Sequence, residues 1–223
     1  MKPKNYITLI VFLLVLSCSN SEDNEEENSN FYALTVGNQW QYRWYNADNE
    51  GNDGPMDLWE SIMIVGTEEI NDNLYYKFSR TISGNFNGNY GFLPENGEHF
   101  EYYRDSLGYL INRLGEIKFS NNETLPYVSE TFSSTITENG QNIPTIVTGY
   151  GELQEEAENY STNAGSFESL KVVVFYERGD GFVFPARNRV YYTDGIGLVK
   201  DDNVFLIAET AGYYRKLESY SIQ

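Results

Sequence analysis

From residue 31 onward the chain is written in a period of two, and that period decides what it can fold into. Trp40, Tyr42 and Trp44 alternate with Gln41 and Arg43. Leu58, Ile62 and Ile64 alternate, less cleanly, with Trp59, Ser61 and Met63. Leu74, Tyr76 and Phe78 face one way, and Tyr75, Lys77 and Ser79 the other. Phe100 and Tyr102, then Leu107, Tyr109 and Ile111, repeat the pattern. Successive side chains of a strand point to opposite faces, so alternation of this kind marks half-buried strands. Further strands are expected at 131–137, 145–151, 167–177, 188–193, 196–200, 203–209 and 212–220. Turn chemistry separates them: DNEGNDGP at 48–55, Asn71-Asp72-Asn73, Asn139-Gly140, Gly179-Asp180-Gly181 and Asp194-Gly195. Only 152–160 (ELQEEAENY) has helical propensity, enough for a short helix or a polar loop.

The expected fold is all-β: a single curved antiparallel sheet or half-open barrel with at most one or two short helices, packed on one face and solvated on the other. A two-sheet sandwich competes with it. The long run at 167–177 favours the curved sheet.

What precedes the strands is of another kind. Lys2 and Lys4 open the chain, 7–16 is apolar, and Leu16-Ser17-Cys18 follows. Basic, apolar and small residues in that order make a signal peptide over 1–17. The apolar run is shorter than the roughly 20 residues that span a bilayer. Ending in Val15-Leu16-Ser17-Cys18, it resembles the lipobox of bacterial lipoproteins, which implies cleavage before Cys18 and acylation of that residue with diacylglycerol and a further acyl chain such as palmitate. Each buried CH₂ adds about 0.8 kcal/mol, so two or three chains anchor a domain stably. Residues 19–30 (SNSEDNEEENSN) hold five acids and no apolar side chain, the composition of an unstructured tether. Stretched, that tether reaches at most about 40 Å. The division expected is therefore 1–17 signal peptide, 18–30 lipidated cysteine and acidic tether, and 31–223 a single β-rich domain. The serine and acidic run after Cys18 also resembles the surface-export signal of Bacteroidota lipoproteins.

Three further segments carry a resemblance. GNQWQY at 37–42 looks like a "GNxWxY" opening of uncharacterised Bacteroidota outer-membrane lipoproteins. AGSFESLKV at 164–172 and YYTDGIGLVK at 191–200 look like paired strands of the same group. Those strands are similar to ones in LolA/LolB-like lipoproteins, which implies a half-open antiparallel barrel and carries over no catalytic residue. Physically, Gly165, Gly195 and Gly197 supply backbone freedom at a strand start and a tight turn. Trp40 and Tyr42 are expected to bury their rings while a polar tip reaches a partner.

Charge and residue inventory exclude several functions. The net charge is −18 and becomes about −20 once residues 1–17, with two lysines and no acid, are removed. No basic footprint for nucleic acid exists, and such charge favours a soluble monomer. The single cysteine allows no intrachain disulfide, and with His99 as the one histidine, thiol or serine triads and zinc sites lack their parts. His99 reads as an exposed residue at a strand end. The oxygen-rich 48–54 loop has calcium-like spacing, but its glycine is not where an EF-hand needs it. No metal and no cofactor is therefore assigned. Carboxylate pairs of the glycosidase type stay open, since 33 acids are present. Asp105-Ser106-Leu107 resembles the acceptor motif for O-glycosylation in Bacteroidota, which marks Ser106.

The reading is a lipid-anchored protein of the outer membrane, on its cell-surface or periplasmic face, without catalytic activity. It would bind a glycan, a lipid or an envelope protein. A small carboxylate-dependent hydrolase and a purely structural surface protein are the alternatives.

Overall fold

A computed structural model describes residues 30–47, 54–122, 124–138, 140–209 and 212–223. Thirteen strands make one antiparallel sheet: β1 (Gln39–Asn46), β2 (Gly54–Ile70), β3 (Asn73–Ser83), β4 (Gly97–Ser106), β5 (Tyr109–Asn112), β6 (Ile117–Ser120), β7 (Tyr127–Glu138), β8 (Gln141–Leu153), β9 (Glu158–Thr162), β10 (Gly165–Arg178), β11 (Val183–Thr193), β12 (Gly197–Asn203) and β13 (Tyr213–Ser221). Their order is β6-β5-β4-β3-β2-β1-β13-β12-β11-β10-β8-β7, with β9 added beside β10. Two meanders, one from each end of the domain, are joined where β1 pairs with β13. The sheet curls until its end strands meet, giving a nearly closed barrel. This is the expected all-β class, curled further than a half-open barrel. Among the described residues the one helical piece is a 3-10 turn at Phe86–Gly88.

The end strands are joined by side chains. Ser129 Oγ on β7 donates to the Ile117 carbonyl on β6 at 3.0 Å. Tyr109 and Tyr127 meet edge to face across the same seam, with ring centroids 5.9 Å apart.

Residues 31–34 plug one end of the barrel. Phe31, Tyr32, Ala33 and Leu34 are all buried. Gly195 N–H donates to the Phe31 carbonyl at 3.2 Å, and the Tyr32 hydroxyl donates to the Gly108 carbonyl at 2.5 Å. These link the plug to the β11–β12 and β4–β5 turns. At the opposite end, where β3 passes to β4, a smaller core of Trp44, Leu58, Ile82 and Leu93 closes the barrel, with Phe92 and Tyr213 packed on it.

Several local expectations are corrected. The segment 152–160 forms no helix: β8 ends at Leu153 and β9 starts at Glu158. Residues 204–209 are not a strand but a turn, in which Ala208 N–H donates to the Phe205 carbonyl at 2.8 Å. Their Val204 is buried against the main core. Leu107 sits in the β4–β5 turn with φ of 56° and is 88% exposed. Phe100 lies on the outer face, with Lys77 Nζ 4.3 Å from its ring centre. The inward face of β4 carries Glu101 and Tyr103 instead. The Asn71-Asp72 turn behaves as its residue types predict, both having positive φ (50° and 60°) in a tight β2–β3 hairpin.

Candidate functional site

The barrel interior is not filled. A cavity of about 250 Å³ lies between the plug and a layer of charged side chains. Apolar walls come from Leu34, Trp40, Ile62, Phe78, Val174 and Leu198. Toward the seam the lining turns polar, with Glu101, Lys118, Glu130 and Tyr176. The side chains of Lys118 and Glu130 are 33% and 29% exposed, so solvent reaches the cavity from the seam.

The charged layer is built on Glu60, whose side chain is fully buried. Trp44 Nε1 donates to its Oε1 at 2.5 Å, and Arg80 Nε and Arg215 Nη1 donate to its Oε2 at 2.6 and 2.7 Å. Arg215 turns its other edge on Asp201, with Nε and Nη2 at 2.6 and 3.0 Å from the two carboxylate oxygens. Arg80 Nη1 also reaches Glu101 at 2.8 Å, and the Tyr103 hydroxyl donates to Glu101 at 2.9 Å. The Arg215 guanidinium lies 5.1 Å from the Tyr42 ring centre. Two guanidiniums thus hold three carboxylates at a depth where an unpaired charge would be costly.

The two acids on Arg215 respond in opposite directions. Burial alone would raise the Glu60 carboxyl, but Arg215, Arg80 and its hydrogen bonds hold it below the usual glutamate range. At Asp201 burial wins over Arg215, and the carboxyl is pushed above the usual aspartate range. Burial also raises the Tyr42 and Tyr103 hydroxyls well above a free phenol, so both keep their protons.

Trp40 and Tyr42 pack in the core as expected, with the polar partners now identified. Trp40 Nε1 donates to the Ile196 carbonyl at 2.6 Å, and the Tyr42 hydroxyl donates to the Leu198 carbonyl at 2.8 Å. The 37–42 and 191–200 motifs therefore interlock across β13, and both rings also border the cavity. Gly165, Gly195 and Gly197 have φ of 143°, 68° and 94°.

The sequence-marked residues lie elsewhere. Cys18 and residues 48–53 are outside the described residues. Ser106 ends β4 beside the exposed turn, where Asp105 Oδ1 accepts the Gly108 N–H at 2.9 Å. His99 is the third residue of β4, half-buried rather than exposed, with Nε2 2.9 Å from the Glu95 carbonyl. Neither Ser106 nor His99 lines the cavity. Among the described residues no group of three or more His, Cys, Asp or Glu is placed to hold a metal ion.

The charged residues that build the site were not singled out by sequence. Glu60 carried a usable signal, since it shares parity with Leu58, Ile62 and Ile64 and so belongs on the buried face. Asp201 carried none. Tyr191 pairs with Lys200 but Tyr192 with Leu198, so one extra residue on β12 forms a bulge and turns Asp201 inward, opposite Val190.

No protein-family model matches this chain, and no curated protein matches it. Two solved structures resemble it. One is a candidate lipoprotein from Parabacteroides distasonis ATCC 8503, with TM-score 0.53 and 14% identity over 86% of this chain and 99% of that one. The other is a candidate exported protein with a YmcC-like fold from Bacteroides fragilis NCTC 9343, with TM-score 0.48 and 13% identity over 86% and 99% of the two chains. The first likeness is one of fold, and what this chain shares with it is the architecture of the barrel.

Proposed function

We propose that this chain is a lipid-anchored envelope protein, held at the outer membrane through Cys18, whose barrel interior binds a small amphiphilic ligand without transforming it. The observation that carries the binding reading is the cavity. Its roughly 250 Å³ equals the liquid volume of about eight waters, enough for a compact ligand and too little for a folded partner or a long lipid. Apolar walls with a few convergent polar groups are the usual make-up of a ligand site. The anchoring reading rests on the Val15-Leu16-Ser17-Cys18 pattern and accords with a fold shared with a candidate lipoprotein. Ser106, beside an exposed turn, is the proposed O-glycosylation acceptor; a mass increment lost in Ser106→Ala checks it.

Two experiments test the main claims. Cys18→Ser should abolish palmitate labelling and membrane retention, and labelling that persists in the variant removes the anchor. For the interior, small amphiphiles should raise the melting temperature of the wild type. Val190→Phe, which fills the cavity from β11, should lose that response.

A second reading is favoured by one observation. Asp201, with its raised pKa, and Glu101 line the same cavity, as the acid pair of a hydrolase would. Both are already engaged, Asp201 by the fork of Arg215 and Glu101 by Arg80 and Tyr103. A general acid needs an oxygen free to deliver a proton, so the geometry fits a structural ion-pair layer better. Turnover on glycoside or ester panels that vanishes in a folded Asp201→Asn variant would reverse that judgement.

A further inference from the structure

The lining of the cavity is selective in a way that names its ligand class. Four carboxylates border it, Glu101, Glu130, Asp201 and Asp202, against two cations, Lys118 and Arg215. Both cations are already paired with acids. Arg215 is turned on Asp201 and Glu60, and Lys118 Nζ lies 2.8 Å from Glu116 and 3.8 Å from Glu130. Asp202 is neutralised by Lys200 at 3.0 Å and Arg189 at 3.4 Å. The layer of Glu60, Arg80, Glu101, Arg215 and Asp201 keeps one negative charge in excess.

Hydrogen-bond polarity points the same way. The single protons of the Tyr32, Trp40 and Tyr42 side chains are all donated into the barrel wall, to the carbonyls of Gly108, Ile196 and Leu198. Tyr103 spends its proton on Glu101, and Ser129 spends its own on Ile117. A phenol that has donated its proton still offers oxygen lone pairs, and a carboxylate only accepts. What faces the cavity is therefore acceptor-rich and anionic, among aromatic rings whose faces attract cations. The Tyr192 hydroxyl, which makes no hydrogen bond among the described residues, is the one phenol of the lining with its proton left to donate.

We propose that the cavity takes a protonated amine: an ammonium group facing Asp201 and Glu101, whose oxygens each accept one bond from Arg215, Arg80 or Tyr103 and keep a second lone pair, and a compact apolar body lying on Trp40, Phe78 and Leu198. A carboxylate or phosphate ligand would meet an excess of negative charge. This rests on the reading of the interior as a binding site and narrows it to one class.

Three probes with the same six-carbon body decide it: n-hexylammonium, hexanol and hexanoate, titrated calorimetrically into the purified full chain. Hexylammonium should bind at least tenfold more tightly than hexanol, with hexanoate the weakest. Glu101→Gln and Asp201→Asn should each weaken hexylammonium about tenfold and leave hexanol within twofold. The wild-type ranking stands as a test even where a variant fails to fold. Hexanol or hexanoate binding as tightly as hexylammonium overturns the amine assignment and leaves the interior as a site for another ligand. No heat from any of the three overturns both the amine assignment and interior binding.

Discussion

The wall of this barrel is made in two ways. Through β2, β1, β13 and β12 it is a continuous backbone ladder, and side chains reach over it to distant carbonyls. Glu60, Arg80, Arg215 and Asp201 tie β2, β13 and β12, and the neighbouring β3, together from the inside. Between β6 and β7 no ladder runs, since these are the two ends of the sheet. Among the described residues a serine hydroxyl, a loose ion pair at 3.8 Å and a tyrosine pair reach across that side. Identical curling thus yields a wall that holds the cavity's shape and a seam through which solvent reaches it. Local stability differs accordingly, for a region bonded by few groups opens at a fraction of the global cost.

The largest effect should come from removing the hub of the first wall. Arg215→Ala leaves Glu60 and Asp201 without their shared cation, and breaking a buried pair from one side costs about 3–5 kcal/mol. The matching change at the seam, Lys118→Ala, removes a partly exposed pair that contributes about 0–1 kcal/mol. Urea melts of the two variants that differ by less than a kilocalorie would erase the distinction between the walls.

The same hub sets a pH signature. Glu60 is held low, so its stabilisation is present above the ordinary glutamate pKa and is lost as pH falls through its depressed value. Asp201 is pushed up, so its contribution is present below the ordinary aspartate pKa and is lost as pH rises through its raised value. Glu60→Gln should therefore flatten the acid-side fall in melting temperature. Asp201→Asn should flatten a gain on mild acidification. Parallel wild-type and variant curves would show that neither carboxyl is coupled to folding.

How far the sequence reveals this architecture differs between the two walls as well. Alternation at Trp40-Tyr42-Trp44 exposes β1, and its inward faces are the ones observed, because a ladder with one buried side repeats strictly. The curled, single-sheet class follows from run lengths and turn residues. The central region resists. Phe100 and Tyr102 look like a core face, yet Lys77 covers Phe100 outside while Glu101 points in, since an interior that keeps a polar cavity reverses the usual preference. The seam is illegible because closure joins strands far apart in the chain through a serine that no local pattern marks. The charged layer is half legible: parity places Glu60, and only the β12 bulge places Asp201.

The next effect in size concerns the turn on which the first wall closes over the plug. Gly197 has φ of 94°, and a Cβ there would stand 3.6 Å from both Trp40 Nε1 and the Tyr32 carbonyl. Gly195, at φ of 68°, has nothing within 4 Å. Valine at either position is strained, costing about 1–3 kcal/mol. Gly197→Val should fall at the upper end, because the branched side chain also presses on the plug. Thermal melting unchanged in both variants would show that this turn is not a constraint on the wall.

Removing one cross-wall bond should cost less. Tyr42→Phe keeps the ring and leaves the Leu198 carbonyl without its 2.8 Å donor, a loss of about 1 kcal/mol. If the interlock of β1 with β12 matters as argued, amide exchange should quicken on β12 and not at the seam. Exchange that quickens equally in both places would mean that the two walls are one cooperative unit.

A change in stability as small, and the one that most sharpens the contrast, belongs to Ser129→Ala. It deletes the 3.0 Å bond from the buried Ser129 to the Ile117 carbonyl, worth about 0.5–1.5 kcal/mol. Because no ladder bonds back it up, that loss should concentrate in seam opening rather than spread over the barrel. Amide exchange on β6 and at the start of β7 should accelerate several-fold while the global melt barely moves. Binding of a probe to the cavity should reach equilibrium faster; Ser129 borders the cavity, but the groups assigned to the ligand on β3, β4 and β12 are untouched, so affinity should change little. A global destabilisation with no local acceleration would place the weak point of the barrel elsewhere and move the route to the cavity with it.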